Sequence, residues 1–226
     1  YTIGGTWRHF FNNSNLFFVM SRNHLNNTAL KYLDYDDENS QKILDYKSEE
    51  TENKTRLEYN FEKNNYSINI GSNLEDAKYT NNTTQKFTIG DSIITGINNA
   101  NLYFIKYGFF TQISKTFLAN ALTSSFGLRI DGNSFTNNAN SPNLSPRLSL
   151  AYNLNNKISI NSNIGRFYQL PSYTILGFDN NGNYLNKDAD YISCDHAVIG
   201  IEYNPSSYSK ITLESFYKSY NNYPFS

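Results

Sequence analysis

Two stretches of the sequence carry side chains that could bind a metal ion. Cys194 and His196 are two residues apart, so a strand would place both on one face. A structural zinc site needs four ligands, and the sequence offers no evident second pair. The acidic stretch from Asp34 to Glu52 is rich in oxygen ligands, but it lacks the turn glycine and spacing of a calcium-binding EF-hand loop. We therefore predict no metal site and no cofactor, and we expect this stretch to be a solvated loop.

Catalysis has no stronger support in the sequence. The stretch GDSI at 90–93 looks like the start of a GDSL-type hydrolase motif, but that motif belongs at a strand-to-helix junction near a domain start. Here it lies in a polar stretch between predicted strands. Asp195 and His196 could form a triad with a serine, but such triplets are common and their roles depend on geometry. We therefore predict that the chain is not an enzyme.

Composition limits the classes of protein to which the chain could belong. The chain has 226 residues, of which 17% are charged and 16% are aromatic, and its formal net charge is −1. This charge gives no indication of nucleic acid binding. No run of about 18 apolar residues is present, so a transmembrane helix is excluded. Membrane-spanning strands are not excluded, because their apolar residues alternate with polar ones.

The clearest structural pattern is a pair of alternating segments between residues 145 and 171. Leu148, Leu150 and Tyr152 recur at every second position, and Ile158 and Ile160 do the same further on. A period of two is typical of a β-strand with one apolar face. Two asparagines at 155–156 separate the segments, and asparagine tolerates the positive φ that a two-residue hairpin turn needs. The stretch therefore predicts a tight β-hairpin.

The same pattern recurs along the chain and predicts about ten strands, each close to the length that crosses a bilayer. The predicted pairs are 2–11 with 16–25, 54–63 with 66–76, 101–113 with 117–131, the two halves of 145–171, and 195–204 with 209–220. Polar connections separate them at 26–53, 77–100, 132–144 and 172–194. Outer-membrane barrels alternate short periplasmic turns with long extracellular loops in this way. The predicted fold class is all-β: a transmembrane antiparallel β-barrel.

Charge separates the two faces of most predicted strands. One face carries no charge and is predicted to contact lipid, where a charge at mid-depth costs about 2–4 kcal/mol. The other face carries the charged residues and is predicted to line the lumen. The first hairpin is less regular, because His9 would share the lipid face with Trp7, Phe11, Phe17 and Val19. The predicted lumen- or plug-facing charges of the later hairpins are Arg129, Asp131, Arg147, Glu202 and Glu214.

Several short motifs resemble strands of TonB-dependent outer-membrane receptors. The segment NIGRFYQLPSY at 163–173 looks like the family's strand that ends in glycine, an aromatic residue, glutamine or arginine, and proline. The stretches KYGFFTQ at 106–112, FGLRID at 126–131, SPRLS at 145–149 and LESFYK at 213–218 are similar to other strands of the family, in the family's order. The resemblance in motifs covers roughly residues 101–226, and the first hundred residues match in pattern alone.

The resemblance implies a receptor in the outer membrane of a Gram-negative bacterium. Such a protein binds a scarce solute outside the cell and imports it with energy relayed through the TonB complex, which contacts an N-terminal plug domain. The family's barrel has more strands than ten, and no plug is visible here. We therefore expect residues 1–226 to be a single domain that forms part of a larger barrel in a longer chain. The implied partners are outer-membrane lipid, the TonB complex, a surface lipoprotein and an imported small solute, peptide or glycan, with no nucleic acid.

By the same resemblance, ligand capture involves extracellular loops and the upper lumen. The nearest candidates follow the last membrane-depth residues of the 145–171 hairpin, and their aromatic, amide and guanidinium groups suit a binding vestibule. These candidates are Arg166, Tyr168, Gln169, Tyr173 and Phe178. For the lumen charges, an electrostatic ladder or plug contacts are favoured over a substrate path. Two alternatives for the whole molecule stay open: a passive outer-membrane porin or channel, and a soluble all-β adhesin or structural protein.

Overall fold

One antiparallel sheet of ten strands forms the body of the molecule. The computed structural model describes residues 1–33, 41–137, 143–180 and 182–223. Neighbouring strands in the sheet follow the order of the chain, and the first and last strands are its two edges. The ten strands are β1 (Thr2–Phe10), β2 (Ser14–Tyr32), β3 (Lys42–Lys63), β4 (Tyr66–Ile89), β5 (Ser92–Phe117), β6 (Leu122–Asn133), β7 (Asn143–Asn153), β8 (Ile158–Gln169), β11 (Ile192–Ser206) and β12 (Ser209–Asn221). The predicted antiparallel, ten-stranded architecture is confirmed.

The connection between β8 and β11 holds the remaining elements. They are the one-turn helix α1 (Tyr173–Leu176) and a small hairpin of β9 (Asp179–Asn180) and β10 (Asn183–Tyr184). Across the described residues, no helix combines the length and the apolar character needed to cross a membrane.

Two of the predicted connections are instead strand. The sequence predicts loops at 26–53 and 77–100, whereas β2 and β3 pair as far as Tyr32 and Lys42, and β4 and β5 pair up to a tight turn between Ile89 and Ser92. Gly90 takes a φ of +60° in that turn, a conformation that glycine adopts without steric cost. The error has a physical cause: hydrophobic alternation marks a strand only where one face is apolar, and these extensions have polar residues on both faces. Their backbone groups still pair across the ladder.

The turn at Asn155 and Asn156 forms at the predicted place with a different mechanism. Neither residue has a positive φ. Instead the side-chain oxygen of Asn155 accepts hydrogen bonds from the backbone N–H groups of Lys157 and Ile158, at 2.8 and 3.0 Å. Asparagine favours such turns because its side chain takes the place of a backbone acceptor. The expected two-residue turn is therefore a longer Asx-type turn.

The third turn lies later in the chain than predicted. The sequence indicated Lys115 and Thr116, whereas β5 continues to Phe117 and the chain reverses over residues 118–121. Three consecutive residues there, Leu118, Ala119 and Asn120, have φ values of 52°, 50° and 74°. The alternation in the predicted strand 117–131 places Leu118 and Asn120 on its uncharged face, whereas both residues belong to the turn. This later turn also puts Lys115 inside a strand.

Strand register defines the two faces of the sheet. Residues paired across strands share a face, and the predicted lipid-facing residues of β3, β4 and β5 do pair with one another, as in the row Leu57, Ser72 and Phe109. We call this the outer face and the opposite one the inner face. Large apolar side chains of the outer face are exposed in this chain, with Phe109 62% exposed and Leu213 73% exposed. Such a surface needs an apolar environment.

The first hairpin corrects one predicted stripe. Trp7 pairs with Phe18, so the outer face of β2 carries Leu16, Phe18 and Met20, while Phe17 and Val19 lie on the inner face. The Arg8 guanidinium stacks over the Phe17 ring at 4.7 Å, also on the inner side. Residues 16–19 are all apolar, so alternation cannot show which of them lie on the outer face.

The apolar core lies at one end of the inner face. It consists of side chains of β4 and β5, namely Ala77, Tyr79, Ala100, Leu102 and Phe104, covered by Tyr173 and Leu176 of α1. The connection between β8 and β11 therefore folds back against the sheet on the side that the sequence assigned to the lumen. This core places α1 over a group of charged side chains.

Candidate solute-binding cavity

Helix α1 delivers Tyr173 to the inner face. The chain leaves β8 through buried Pro171, and extended Ser172 precedes the helix. Leu176 is completely buried, and the Tyr173 ring packs edge-on against Phe104 with 5.6 Å between ring centroids. Gly177 follows at a close approach, where an added Cβ would lie 2.9 Å from the Tyr173 carbonyl oxygen. Apolar packing and a glycine exit thus fix the position of this segment.

The hydroxyl group of Tyr173 ends in a cluster of carboxylates and ammonium groups, which we call the inner-face charge cluster: Glu52, Lys54, Glu75, Lys106 and Tyr173. Tyr173 donates to Glu52 at 2.5 Å, and Lys106 donates to the Tyr173 oxygen at 2.5 Å. Lys106 also forms ion pairs with Glu52, at 3.1 Å, and with Glu75. Lys54 reaches Glu52 at 2.6 Å and Glu75 at 3.7 Å. Two carboxylates and two ammonium groups therefore balance in a partly buried site, as buried charges require.

The protonation of Tyr173 suits its role as a donor. Burial, reinforced by the hydrogen bond to Glu52, raises the pKa of Tyr173 above its ordinary value. The phenol therefore stays protonated and donates its hydrogen bond at neutral pH. The ring also lies beside the Lys106 ammonium, with 4.9 Å from Nζ to the ring centroid. Tyr173 is thus held by apolar packing, a hydrogen bond and a cation–π contact together.

A polar cavity of about 440 Å³ lies next to the inner-face charge cluster. Its wall contains acidic, basic, amide and phenolic groups from β3, β4, β5 and β6, from the end of β8, and from both ends of the connection between β8 and β11. Volumes of this size can hold a small solute or part of a larger one. Contributing residues include Glu50, Asn73, Arg129, Tyr168, Gln169 and Tyr191.

The structure places the five residues predicted to contact the ligand in different surroundings. Gln169 and Tyr173 line the cavity. Tyr168 borders the cavity as well, but the phase of β8 puts its side chain on the outer face, beside Arg166 and Asp195. Phe178 lies just after α1 and is 50% exposed. Arg166 lies on the outer face, two residues after Ile164 on the same strand. It forms a two-point ion pair with Asp195 at 2.7 and 2.6 Å. The sheet thus directs Arg166 away from the cavity.

The predicted lumen charges form separate groups on the inner face. Arg129 and Asp131 pair through two contacts of 2.7 and 2.6 Å at the cavity wall. Arg147 stacks over the Phe167 ring at 4.4 Å, and its Nε is buried without a hydrogen-bond partner among the described residues.

Two further lumen charges come from the last hairpin and lie outside the cavity wall. Glu202 pairs with Lys210 at 2.5 Å and accepts a hydrogen bond from Asn204 at 3.0 Å. Glu214 lines a second, smaller recess that includes Ser149 and Gly200. Neither residue joins the group around Arg129, so the five predicted charges do not form one continuous path.

Sequence reasoning did not find the contact that joins α1 to the inner-face charge cluster. Glu52 fell in a predicted loop, although continuing the alternation of β3 back from Glu58 would have placed it on the inner face. Glu75 and Lys106 pair across β4 and β5 on the face opposite the apolar stripe, where the alternation in these strands predicts charged residues. The partner from the connection, Tyr173, is 121 residues away from Glu52 in sequence. No local pattern predicts a contact over that separation.

The residues considered for metal binding and catalysis are divided between the two faces of the sheet, with Asp195 on the outer face and His196 on the inner face. Cys194 and His196 both lie on the inner face, where the Cys194 thiol is 3.8 Å from the Asp195 carbonyl and His196 packs near Phe167. Among the described residues, no group of three or more potential ligands could hold a metal ion. The predicted acidic run at 34–38 lies outside the described residues.

The family of the chain follows from its match along the entire sequence. Residues 1–226 match the family described as TonB dependent receptor-like, beta-barrel. The chain belongs to this family of outer-membrane receptors, as the sequence motifs indicated. The family consists of transporters and receptors rather than enzymes. A comparison with curated proteins found no match.

Solved structures share the fold at low sequence identity. A mutant of the ferric enterobactin receptor PfeA from Pseudomonas aeruginosa has a TM-score of 0.74 at 16% identity, with 97% of this chain and 34% of that chain covered. The copper transporter OprC has a TM-score of 0.72 at 13% identity, with 96% and 38% covered. The siderophore receptor PirA from Acinetobacter baumannii has a TM-score of 0.69 at 14% identity, with 97% and 34% covered. The chain spans little more than a third of the length of these receptors.

Proposed function

We propose that this chain forms part of the barrel of a TonB-dependent receptor in the outer membrane of a Gram-negative bacterium. The receptor binds a scarce solute at its extracellular face and imports it with energy from the TonB complex. The observation that carries the proposal is the contrast between the faces: an exposed apolar outer face suited to lipid, and an inner face with a polar cavity beneath α1. This contrast is what a solute path through a membrane requires.

Within this receptor, we assign solute contact to Gln169 in the cavity and to Phe178 just after α1. The exposed Phe178 ring and the Gln169 amide offer stacking and directional hydrogen bonds. Tyr173 acts as a positioning residue that holds α1 over the inner-face charge cluster. We assign Arg129 and Asp131 to the cavity wall, where their mutual pairing presents a fixed polar surface to a solute or to a plug domain.

The test is uptake by cells that carry the full-length receptor, compared with cells from which it is deleted, with and without TonB. Candidate solutes are supplied singly: a ferric siderophore, copper, cobalamin, a peptide and a glycan. The proposal predicts uptake of at least one solute only when both receptor and TonB are present. Receptor-dependent uptake that persists without TonB would identify a passive channel instead. A full-length protein that is monomeric in buffer without detergent would refute the membrane assignment.

A further inference from the structure

Two lysines lie on the outer face beside the short turns. Lys63 pairs with Tyr66, and Tyr66 pairs with Lys115 on the next strand. The three side chains therefore occupy one row across β3, β4 and β5, with the tyrosine in the middle. Because neighbouring strands are about 4.8 Å apart, the two lysine backbones are about 10 Å apart. Long lysine side chains can converge over the ring between them.

The two lysines are charged residues on a part of the outer face that otherwise carries little charge. From the short turns up to the row of Leu74, the described outer-face positions of β1 to β7 hold apolar, hydroxyl and aromatic residues, together with His9, glycines and Pro146. Lys63 and Lys115 are the only lysine, arginine or acidic residues among these positions. The outer-face charges of β8 and β11, Arg166 and Asp195, pair with each other. The two ammonium groups therefore have no free carboxylate in this part of the outer face to pair with.

Aromatic rings hold one of the lysines in place. The Lys115 Nζ is 4.4 Å from the centroid of the Tyr66 ring and 4.9 Å from that of Phe117. It also donates a hydrogen bond to the Tyr66 hydroxyl group. Lys63 is exposed and forms no ion pair or hydrogen bond with any described residue. The rings thus position a cation whose charge stays uncompensated, and a second free cation lies beside it.

The row lies at the depth of lipid headgroups. Along β4, ten residues separate Tyr66 from Asp76, where charged residues reappear on the outer face. This is about 33 Å of strand, which spans about 25 Å along the membrane normal at the usual tilt of about 40°. That distance equals the height of the apolar band of outer-membrane barrels. The lysine row therefore marks the edge of the band on the side of the short, periplasmic turns.

We propose that Lys63, Tyr66, Lys115 and Phe117 form a binding site for the phosphate of an anionic phospholipid in the periplasmic leaflet, an inference that rests on the membrane location proposed above. Both ammonium groups can contact the two unesterified oxygens of one phosphodiester, which share a single negative charge, and the Tyr66 hydroxyl supplies a further polar contact. The apolar outer face continues directly from this row, so acyl chains would lie along Ile68, Ile113 and Phe126.

The experiment counts bound lipids on the full-length receptor in dodecyl maltoside micelles by native mass spectrometry, with phosphatidylglycerol as the added probe. The test variant is K63Q/K115Q. The matched control is K78Q/K86Q, which removes the same charge from the outer face of β4 beyond the opposite edge of the band. A third variant, K63R/K115R, keeps the charges.

Each lysine near an anionic lipid surface accounts for about five-fold in affinity. We therefore expect K63Q/K115Q to bind its tightest phosphatidylglycerol about 25-fold more weakly, whereas K78Q/K86Q and K63R/K115R bind like the wild type. Equal binding by wild type and K63Q/K115Q, or an equal loss in the control, overturns the site. A heat-modifiable gel shift, recorded for every variant, distinguishes a failure of the lipid-site proposal from a failure of the membrane assignment. If the shift is present but the lysine variant binds normally, only the lipid site fails, whereas a wild type without the shift refutes the membrane assignment itself.

Discussion

Removing the hydroxyl group of Tyr173 tests how the connection between β8 and β11 is held against the sheet. In Y173F the ring and its packing on Phe104 remain, but Glu52 loses its 2.5 Å hydrogen bond and Lys106 loses an acceptor. Hydrogen bonds to charged groups contribute about 1.5–3 kcal/mol. Because Lys106 and Glu52 stay paired with each other at 3.1 Å, we take about 2 kcal/mol for the loss. This corresponds to about a 30-fold increase in the population with α1 undocked.

Hydrogen–deuterium exchange of the full-length protein measures this population. The Leu176 and Gly177 amides donate to the Ser172 and Tyr173 carbonyls at 3.0 and 2.7 Å, and they exchange when the segment opens. We expect about 30-fold faster exchange of these amides in Y173F, with little change in the ladder of β7 and β8. The matched control is Y103F, which removes an exposed tyrosine hydroxyl bonded to Asp76 on the outer face.

Unchanged exchange of the α1 amides in Y173F would refute the argument that the inner-face charge cluster holds this segment. To show that opening is detectable, L176A serves as a positive reference, because truncating a completely buried leucine costs about 2–5 kcal/mol. If L176A opens the segment and Y173F does not, apolar packing alone positions α1. Faster exchange in Y103F would mean that the effect is not specific to the cluster.

Three other substitutions have defined outcomes. Arginine at Leu150 should lower the free energy of unfolding in lipid by about 2–4 kcal/mol, whereas arginine at Ser149 on the inner face should be tolerated, and equal effects would contradict the assignment of faces. Alanine at Gly177 overpacks the exit from α1 and should cost about 1–3 kcal/mol, seen as faster exchange at 170–178 without loss of the barrel. Alanine at Asn155 removes the acceptor of two backbone hydrogen bonds and should cost about 1 kcal/mol in chemical denaturation.

The alternation of apolar and polar residues predicted most of the sheet because it reports which strand positions face an apolar medium. In β3 to β8 the strand order, pairing and faces follow from this signal, as in the row of Leu57, Ser72 and Phe109. The alternation is absent where both faces are polar, which is why the parts of β4 and β5 farthest from the short turns were predicted to be loops. It is also absent where both faces are apolar, which is why Phe17 and Val19 were assigned to the wrong face.

The candidate site was less accessible to sequence reasoning. Gln169 and Tyr173 line the cavity, and the recognisable end of β8 is the sequence signal that pointed to them. Glu52, the hydrogen-bond partner of Tyr173, could not be predicted, because nothing local links it to a residue 121 positions away. Arg166 and Tyr168 looked like vestibule residues from their type, but the strand phase that puts Ile164 on the outer face puts both of them there as well. Strand phase therefore outweighs residue type in this assignment.

Site-directed spin labelling across β7 tests the central claim, that the outer face contacts lipid and the inner face contacts water. The native thiol is first removed as C194S, and residues 148 to 153 of the full-length protein in lipid are then labelled one at a time. The account predicts that labels at 148, 150 and 152 are relaxed mainly by oxygen dissolved in the bilayer, and labels at 149, 151 and 153 mainly by a water-soluble nickel complex. Equal access at all six positions, or alternation in the opposite phase, would contradict it.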